Sequence, residues 1–126
     1  MNINLLNIEE IIEIHDTIID TFGGLKGIRD NSLLNSSLER PFTQYGGIEL
    51  FKSIEEKISS IIHSIIKYHV FIDGNKRTGI QILTITLDIN DINISYSQKE
   101  LVDLAINIAS GIYDVLDISN WIIEHE

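Results

Sequence analysis

Isoleucine and leucine recur along this chain mostly at intervals of three and four, the spacing that gathers side chains on one face of a helix. Ile8, Ile11, Ile12, Ile14, Ile18 and Ile19 open the series, which runs to Phe22. Asn7 followed by Glu10 reads as a capping box, and Gly23 and Gly24 supply the stop. Asp30 is placed to cap a short second helix carrying Leu33, Leu34 and Leu38, which Pro41 ends. The stretch PFTQYGGIEL, 41–50, reads as a loop by its proline and paired glycines. From about Ser53 to Tyr68, Ile54, Ile58, Ile61, Ile62, Ile65 and Ile66 form a broad apolar face, with His63 on the polar side. So much isoleucine would suit a strand, but strict alternation is missing and the run is too long, so a helix is expected. A loop around Phe71–Gly74 precedes a helix over 75–89. Ser97 and Glu100 form a second capping box, opening a helix that Gly111 closes, and a final short helix carries Trp121 and Ile122. Only INISY, 92–96, reads as extended. The pattern predicts an all-α fold, a compact bundle of about six helices in a single domain spanning 1–126.

Composition narrows the setting. A chain of 126 residues is long enough for a core without staples, and the absence of cysteine excludes disulfides and thiolate metal sites and points to a reducing compartment. The N-terminal MNINLLNIEEII lacks the basic start of a secretory signal, and no apolar run approaches the roughly 20 residues of a membrane span. A cytoplasmic protein is expected, with no membrane partner. The net charge of −10 argues against direct nucleic-acid binding. Yet the cations are unevenly placed. After Arg77 only Lys99 is a lysine or arginine, while Lys67, Lys76 and Arg77 cluster in the middle of the chain.

That cluster coincides with HVFIDGNKRTG, 69–79, where an imidazole, a carboxylate, an amide, two cations and two glycines fall within eleven residues. Gly74 can turn the backbone sharply, leaving Asn75, Lys76 and Arg77 in the first turn of the following helix. The unpaired amides and the dipole at that end welcome an anion, above all a phosphate. Two cations at a helix N-terminus are otherwise unfavourable by roughly 0.3–1 kcal/mol each, so their presence points to a bound anion. His69 is a candidate general base for an attacking hydroxyl, and Asp73 is a candidate magnesium ligand beside substrate phosphates. Base, metal ligand and anion cradle together describe phosphoryl or nucleotidyl transfer. His15 and Asp16, side by side on the first helix, read as core or supporting residues. The C-terminal acids read as a solvated surface, and His125 as a complement to the last helix's dipole.

The run resembles the signature of the Fic/Doc family, His-x-Phe-x-Asp/Glu-Gly/Ala-Asn-x-Arg, matched by His69, Phe71, Asp73, Gly74, Asn75 and Arg77. Lys76 followed by Thr78 is similar to the death-on-curing (Doc) branch, as is IHDTIIDTFGGLKGIRD near the N-terminus. By this resemblance His69 is the catalytic base, Phe71 anchors the loop, and Asp73 serves magnesium or orients the reacting groups. Gly74, Asn75 and Lys76 supply an anion hole, with the Asn75 side chain assisting, and Lys76 and Arg77 bind phosphates. Before the signature helix, 41–50 corresponds to a flap that holds a target peptide by strand addition, which Gly46 and Gly47 would permit.

Two departures from the family pattern bear on the reaction. Adenylyl-transferring members carry a second arginine three residues after the first; here that position is Ile80. Its absence favours the Doc-like mode, in which ATP binds inverted with its γ-phosphate in the hole. Gln81 stands where the Doc branch has asparagine, keeping the amide on a longer stem. The resemblance implies the toxin of a type II toxin–antitoxin pair, a kinase-type enzyme moving a phosphoryl group from ATP to a protein hydroxyl, by resemblance a threonine of elongation factor Tu, and so arresting translation. Fic-type adenylyl or nucleotidyl transfer, and a catalytically silent nucleotide- or partner-binding module, are the alternatives. No inhibitory motif of the form Ser/Thr-x-x-x-Glu-Gly/Asn occurs in the chain, so restraint is expected from a separate antitoxin with a disordered neutralising segment.

Overall fold

The computed structural model describes residues 2–126. Six α-helices carry the fold: α1 (Ile8–Phe22), α2 (Asn31–Glu39), α3 (Ile54–Lys67), α4 (Asn75–Ile89), α5 (Gln98–Ala109) and α6 (Val115–His125). The expected all-α architecture is what forms. Five helix starts are set by side chains that satisfy otherwise unpaired amides, that of α3 by Ser53, which accepts from the Glu56 amide at 3.0 Å. Asn7 and Glu10 make the capping box of α1, Ser97 and Glu100 that of α5, and Asp114 and Asp117 a third at α6. Asp30 caps α2 by accepting from the Leu33 amide at 3.0 Å.

Two expectations differ from what is seen between the helices. The 41–50 loop is more ordered than its composition suggested. A 3-10 turn, Arg40–Phe42, leads into a two-stranded hairpin of β1 (Gln44–Tyr45) and β2 (Ile48–Glu49), in register Gln44 to Glu49 and Tyr45 to Ile48. Gly46 and Gly47 both have positive φ, 57° and 80°, which a two-residue hairpin turn of right-handed twist requires. Conversely, 92–96 forms no strand; the Ser95 amide bonds to the His125 carbonyl at 2.8 Å with no ladder around it.

Helix α3 is the axis of the fold, with α2, α4, α5 and α6 packed around it. Every residue from Lys57 to Ile66 is buried, so the expected polar side bearing His63 does not exist. The polar groups are satisfied inside. Ser59 and Ser60 donate to the Glu55 and Lys57 carbonyls of their own helix, which removes the penalty of burying a hydroxyl. The buried Lys57 ammonium donates to the Phe51 carbonyl and pairs with Glu49 of β2 at 3.2 Å, tying the hairpin to the core. His63 accepts at Nδ1 from Arg40 at 3.0 Å. Among the described residues no helix is long and apolar enough to cross a membrane.

Candidate functional site

The loop between α3 and α4 is held from four directions. Phe71 is fully buried at its centre, a side chain whose burial alone is worth roughly 1.5–3 kcal/mol. Its ring stacks on the buried imidazole of His15 from α1, with centroids 3.9 Å apart and planes within 8°. His15 Nε2 donates to the Asp73 carbonyl at 2.8 Å, while its Nδ1 faces the Asp16 carboxylate at 3.1 Å. Thus the expected supporting role of His15 has a definite form: it fixes the backbone one residue before the turn. The Asn75 side chain closes the loop on itself, donating to the Phe71 carbonyl and accepting from the Phe71 amide, both at 2.9 Å.

On the outer side, residues 27–30 pair with the loop like a fragment of sheet. The Arg29 amide bonds to the Val70 carbonyl at 2.9 Å, and the Ile72 amide to the Gly27 carbonyl at 3.1 Å. The Arg29 guanidinium then grips two carbonyls at the end of α3, those of Tyr68 (2.5 Å) and His69 (2.6 Å). The sequence alone assigns Arg29 no role, since its partners lie about 40 positions away.

His69 itself is exposed and has φ 53°, a left-handed conformation normally taken by glycine just past a helix end. A non-glycine residue there is strained, and such strain concentrates at functional positions. Nothing among the described residues hydrogen-bonds its ring, which stands free beside the loop.

Asp73 to Arg77 turn directly into α4. Gly74 has φ 77°, and an added Cβ would fall 2.9 Å from Ile19 Cδ1, so a side chain here would be strained and would push Ile19 aside. Beyond it, the amides of Asn75, Lys76 and Arg77 have no acceptor among the described residues; the first bonded amide is that of Thr78, to the Gly74 carbonyl. Neither Lys76 nor Arg77 pairs with a carboxylate among the described residues. The Arg77 guanidinium lies 4.1 Å above the ring of Phe22, an aromatic residue that is 60% exposed at the end of α1. This platform too was missed from sequence, where Phe22 registered only as a helix terminus. One turn along α4, Gln81 lines a groove of about 480 Å³ with Lys76, Arg77, Ile80 and Phe22, closed on its far side by α5.

A family model described as the Fic/DOC family matches residues 5–87. The chain belongs to this family. Toxin Doc of Mycolicibacterium smegmatis is 30% identical over 74 residues, 59% of this chain and 57% of that protein. Protein kinase doc of Escherichia phage P1 is 27% identical over 112 residues, covering 89% of this chain and 87% of its own length. The match takes in α1 to α4, the elements that build and brace the Fic/DOC signature loop.

The geometry bears on two roles expected of the Fic/DOC signature residues. The Asn75 side chain spends its Oδ1 and one Nδ2–H on the Phe71 backbone, leaving the second Nδ2–H without an acceptor among the described residues. Asp73 is exposed, but its carboxylate already accepts from the Gly74 amide at 3.0 Å and the Leu25 amide at 3.2 Å, joining the α1–α2 connection to the loop. Among the described residues no three His, Asp or Glu side chains gather as a metal cage. A lone exposed carboxylate with spare lone pairs fits magnesium only in its nucleotide-borne form, where phosphates and water complete the shell.

Proposed function

We propose that the chain is a Doc-like toxin that transfers the γ-phosphoryl group of ATP to a hydroxyl on a protein. The observation that carries this reading is the start of α4: three unpartnered amides and two cations without counter-ions, one turn beyond a free histidine. In the proposed reaction the phosphate rests on the amides of Asn75, Lys76 and Arg77, with both side chains neutralising its charge. His69 Nε2 or Nδ1 takes the proton of the attacking hydroxyl as the oxygen–phosphorus bond forms and the bond to ADP breaks. Asp73 would hold magnesium, which when bound neutralises phosphate charge. The hairpin of β1 and β2, with both outer edges exposed, would present the target as an added strand. Gln81, in the groove beside Arg77, would contact the nucleotide.

The names of the two relatives, one a toxin and one a protein kinase, support this reading over nucleotidyl transfer. So does Ile80, which packs partly against the core at the position where adenylyl-transferring members carry a second arginine. By the same resemblance, the target is a threonine of elongation factor Tu, the outcome arrested translation, and the restraint a separate antitoxin. Incubating the protein and a bacterial lysate with γ-labelled or α-labelled ATP separates the two chemistries. Protein label from the γ position alone is expected; label from the α position would establish nucleotidyl transfer instead.

A further inference from the structure

Between α2 with the 3-10 turn that follows it and the end of α3 lies a cleft of about 570 Å³, separate from the groove beside Arg77. Arg40 borders it, and the bonds of Arg40 are all on one side. Its Nη1 donates to the Ser60 carbonyl (3.2 Å), the Ser64 hydroxyl (2.9 Å) and His63 Nδ1 (3.0 Å). All three acceptors are uncharged: burial, followed by the Arg40 charge, holds the His63 pKa below its usual value. Among the described residues no carboxylate lies within 4.0 Å of Arg40. Its Nε and Nη2 have no acceptor there either, and they are not sealed in the interior. A half-buried guanidinium without a counter-ion therefore turns an unused edge toward open space, the geometry that grips a carboxylate with two parallel bonds.

The surroundings narrow the ligand further. Leu33, Phe42 and Tyr68 make apolar and aromatic walls, suited to the methylenes of a side chain. Glu39 stands exposed at the rim and is not bonded to Arg40, so a doubly charged phosphate would meet repulsion that a single carboxylate meets less. Location points the same way. Tyr68 immediately precedes His69, and Thr43, also on the cleft, bonds to the Leu50 amide at the base of the hairpin. We propose that this cleft is a specificity pocket for one glutamate side chain of the target polypeptide, held by the free edge of Arg40 close to the hydroxyl that His69 deprotonates.

That the pocket serves a substrate rests on the proposed phosphotransfer; that it binds a carboxylate does not. In a His69→Ala background, the Arg40 Nε–H is followed by NMR during titration with N-acetyl-glutamate N-methylamide, its glutamine counterpart, and inorganic phosphate. Saturable shifts in the millimolar range are expected with the glutamate compound, at least about tenfold weaker with the other two. Arg40→Gln should abolish the response at Ser64 and Tyr68. Glu39→Gln, which leaves the Arg40 bonds intact, should tighten glutamate binding several-fold. An unmoved Arg40 resonance, or equal responses to glutamine or phosphate, overturns the assignment. If glutamate binds but no protein accepts label from ATP, the phosphotransfer reading falls and the pocket stands.

Discussion

Replacing His69 by glycine should make the protein more stable and inactive at once. His69 has φ 53° one residue beyond the C-cap of α3, where a left-handed non-glycine residue is disfavoured by roughly 1–2 kcal/mol, histidine being among the more tolerant types. Glycine removes that strain, although its freer unfolded chain offsets about 0.5–1 kcal/mol. The His69 ring is exposed and bonded to nothing among the described residues, so its loss forfeits little packing. The backbone carbonyl that Arg29 grips is retained. The net gain is about 0.5–1 kcal/mol, or roughly 2–4 °C in Tm for a chain of this size. Transfer should fall on the order of 10²–10⁴-fold, because the attacking hydroxyl loses its proton acceptor. His69→Ala is the control, since it keeps the strained backbone and should match the loss of transfer without the gain in Tm. Calorimetry and label transfer on the three proteins decide the matter. A lowered Tm for the glycine variant would show that the conformation is not strained, and near-normal transfer would remove His69 from the chemistry.

Phe22→Ala should raise KM for ATP about 2–5-fold with little change in Tm, because it removes the exposed ring under Arg77 and a cation–π contact of roughly 0.5–1 kcal/mol; an unchanged KM would mean that Arg77 needs no platform. Gly79→Ala should cost about 1–3 kcal/mol in a urea titration, since the new methyl would lie 2.6 Å from Ile66 Cδ1 at the α3–α4 contact; a variant as stable as wild type would show that the helices can shift apart freely. The His125–Glu100 pair between α6 and α5, 2.6 Å apart, should make stability depend on pH. Burial pulls the His125 pKa down, but bonds to Glu100 and to the Trp121 carbonyl outweigh it and raise the pKa overall. Its contribution is therefore complete below about pH 6.5 and lost as pH rises through the elevated value. The Ser97 amide, then His125, lowers the Glu100 pKa, so that carboxylate's share persists above about pH 4.5 and is lost on acidification below it. The Tm difference between wild type and His125→Gln should be widest near pH 5–6 and narrow toward pH 8–9; a difference that is flat across this range would contradict the pairing.

The elements legible in the sequence were those determined by neighbours a turn or less apart. Capping residues such as Asn7, Asp30 and Ser97 act within three positions, and α1 and α4 run between the residues their patterns indicated. The signature loop was legible for the same reason, as six specified positions lie within nine residues. What escaped the reading depends on partners far along the chain. His63 looked like part of a polar face until Arg40, from a different element, entered to bond it and its buried neighbour Ser64. Asn75 looked free to serve an anion, yet the loop folds back so that the Phe71 backbone engages its Oδ1 and one Nδ2–H. Arg29, Phe22 and the buried Lys57 acquire meaning only when α1, the 27–30 segment and the hairpin close over α3 and α4. The hairpin was readable as a permissive turn at Gly46 and Gly47, but its tether through Glu49 and Phe51 to Lys57 was not.

The central claim, phosphoryl transfer to a protein hydroxyl with His69 as base, is tested most directly by mass spectrometry of purified elongation factor Tu after incubation with this protein, ATP and magnesium. The account predicts one added phosphoryl group on a threonine with wild type and none with His69→Ala at equal concentration. An added adenylyl group, or a phosphoryl group that appears equally with the alanine variant, would contradict it.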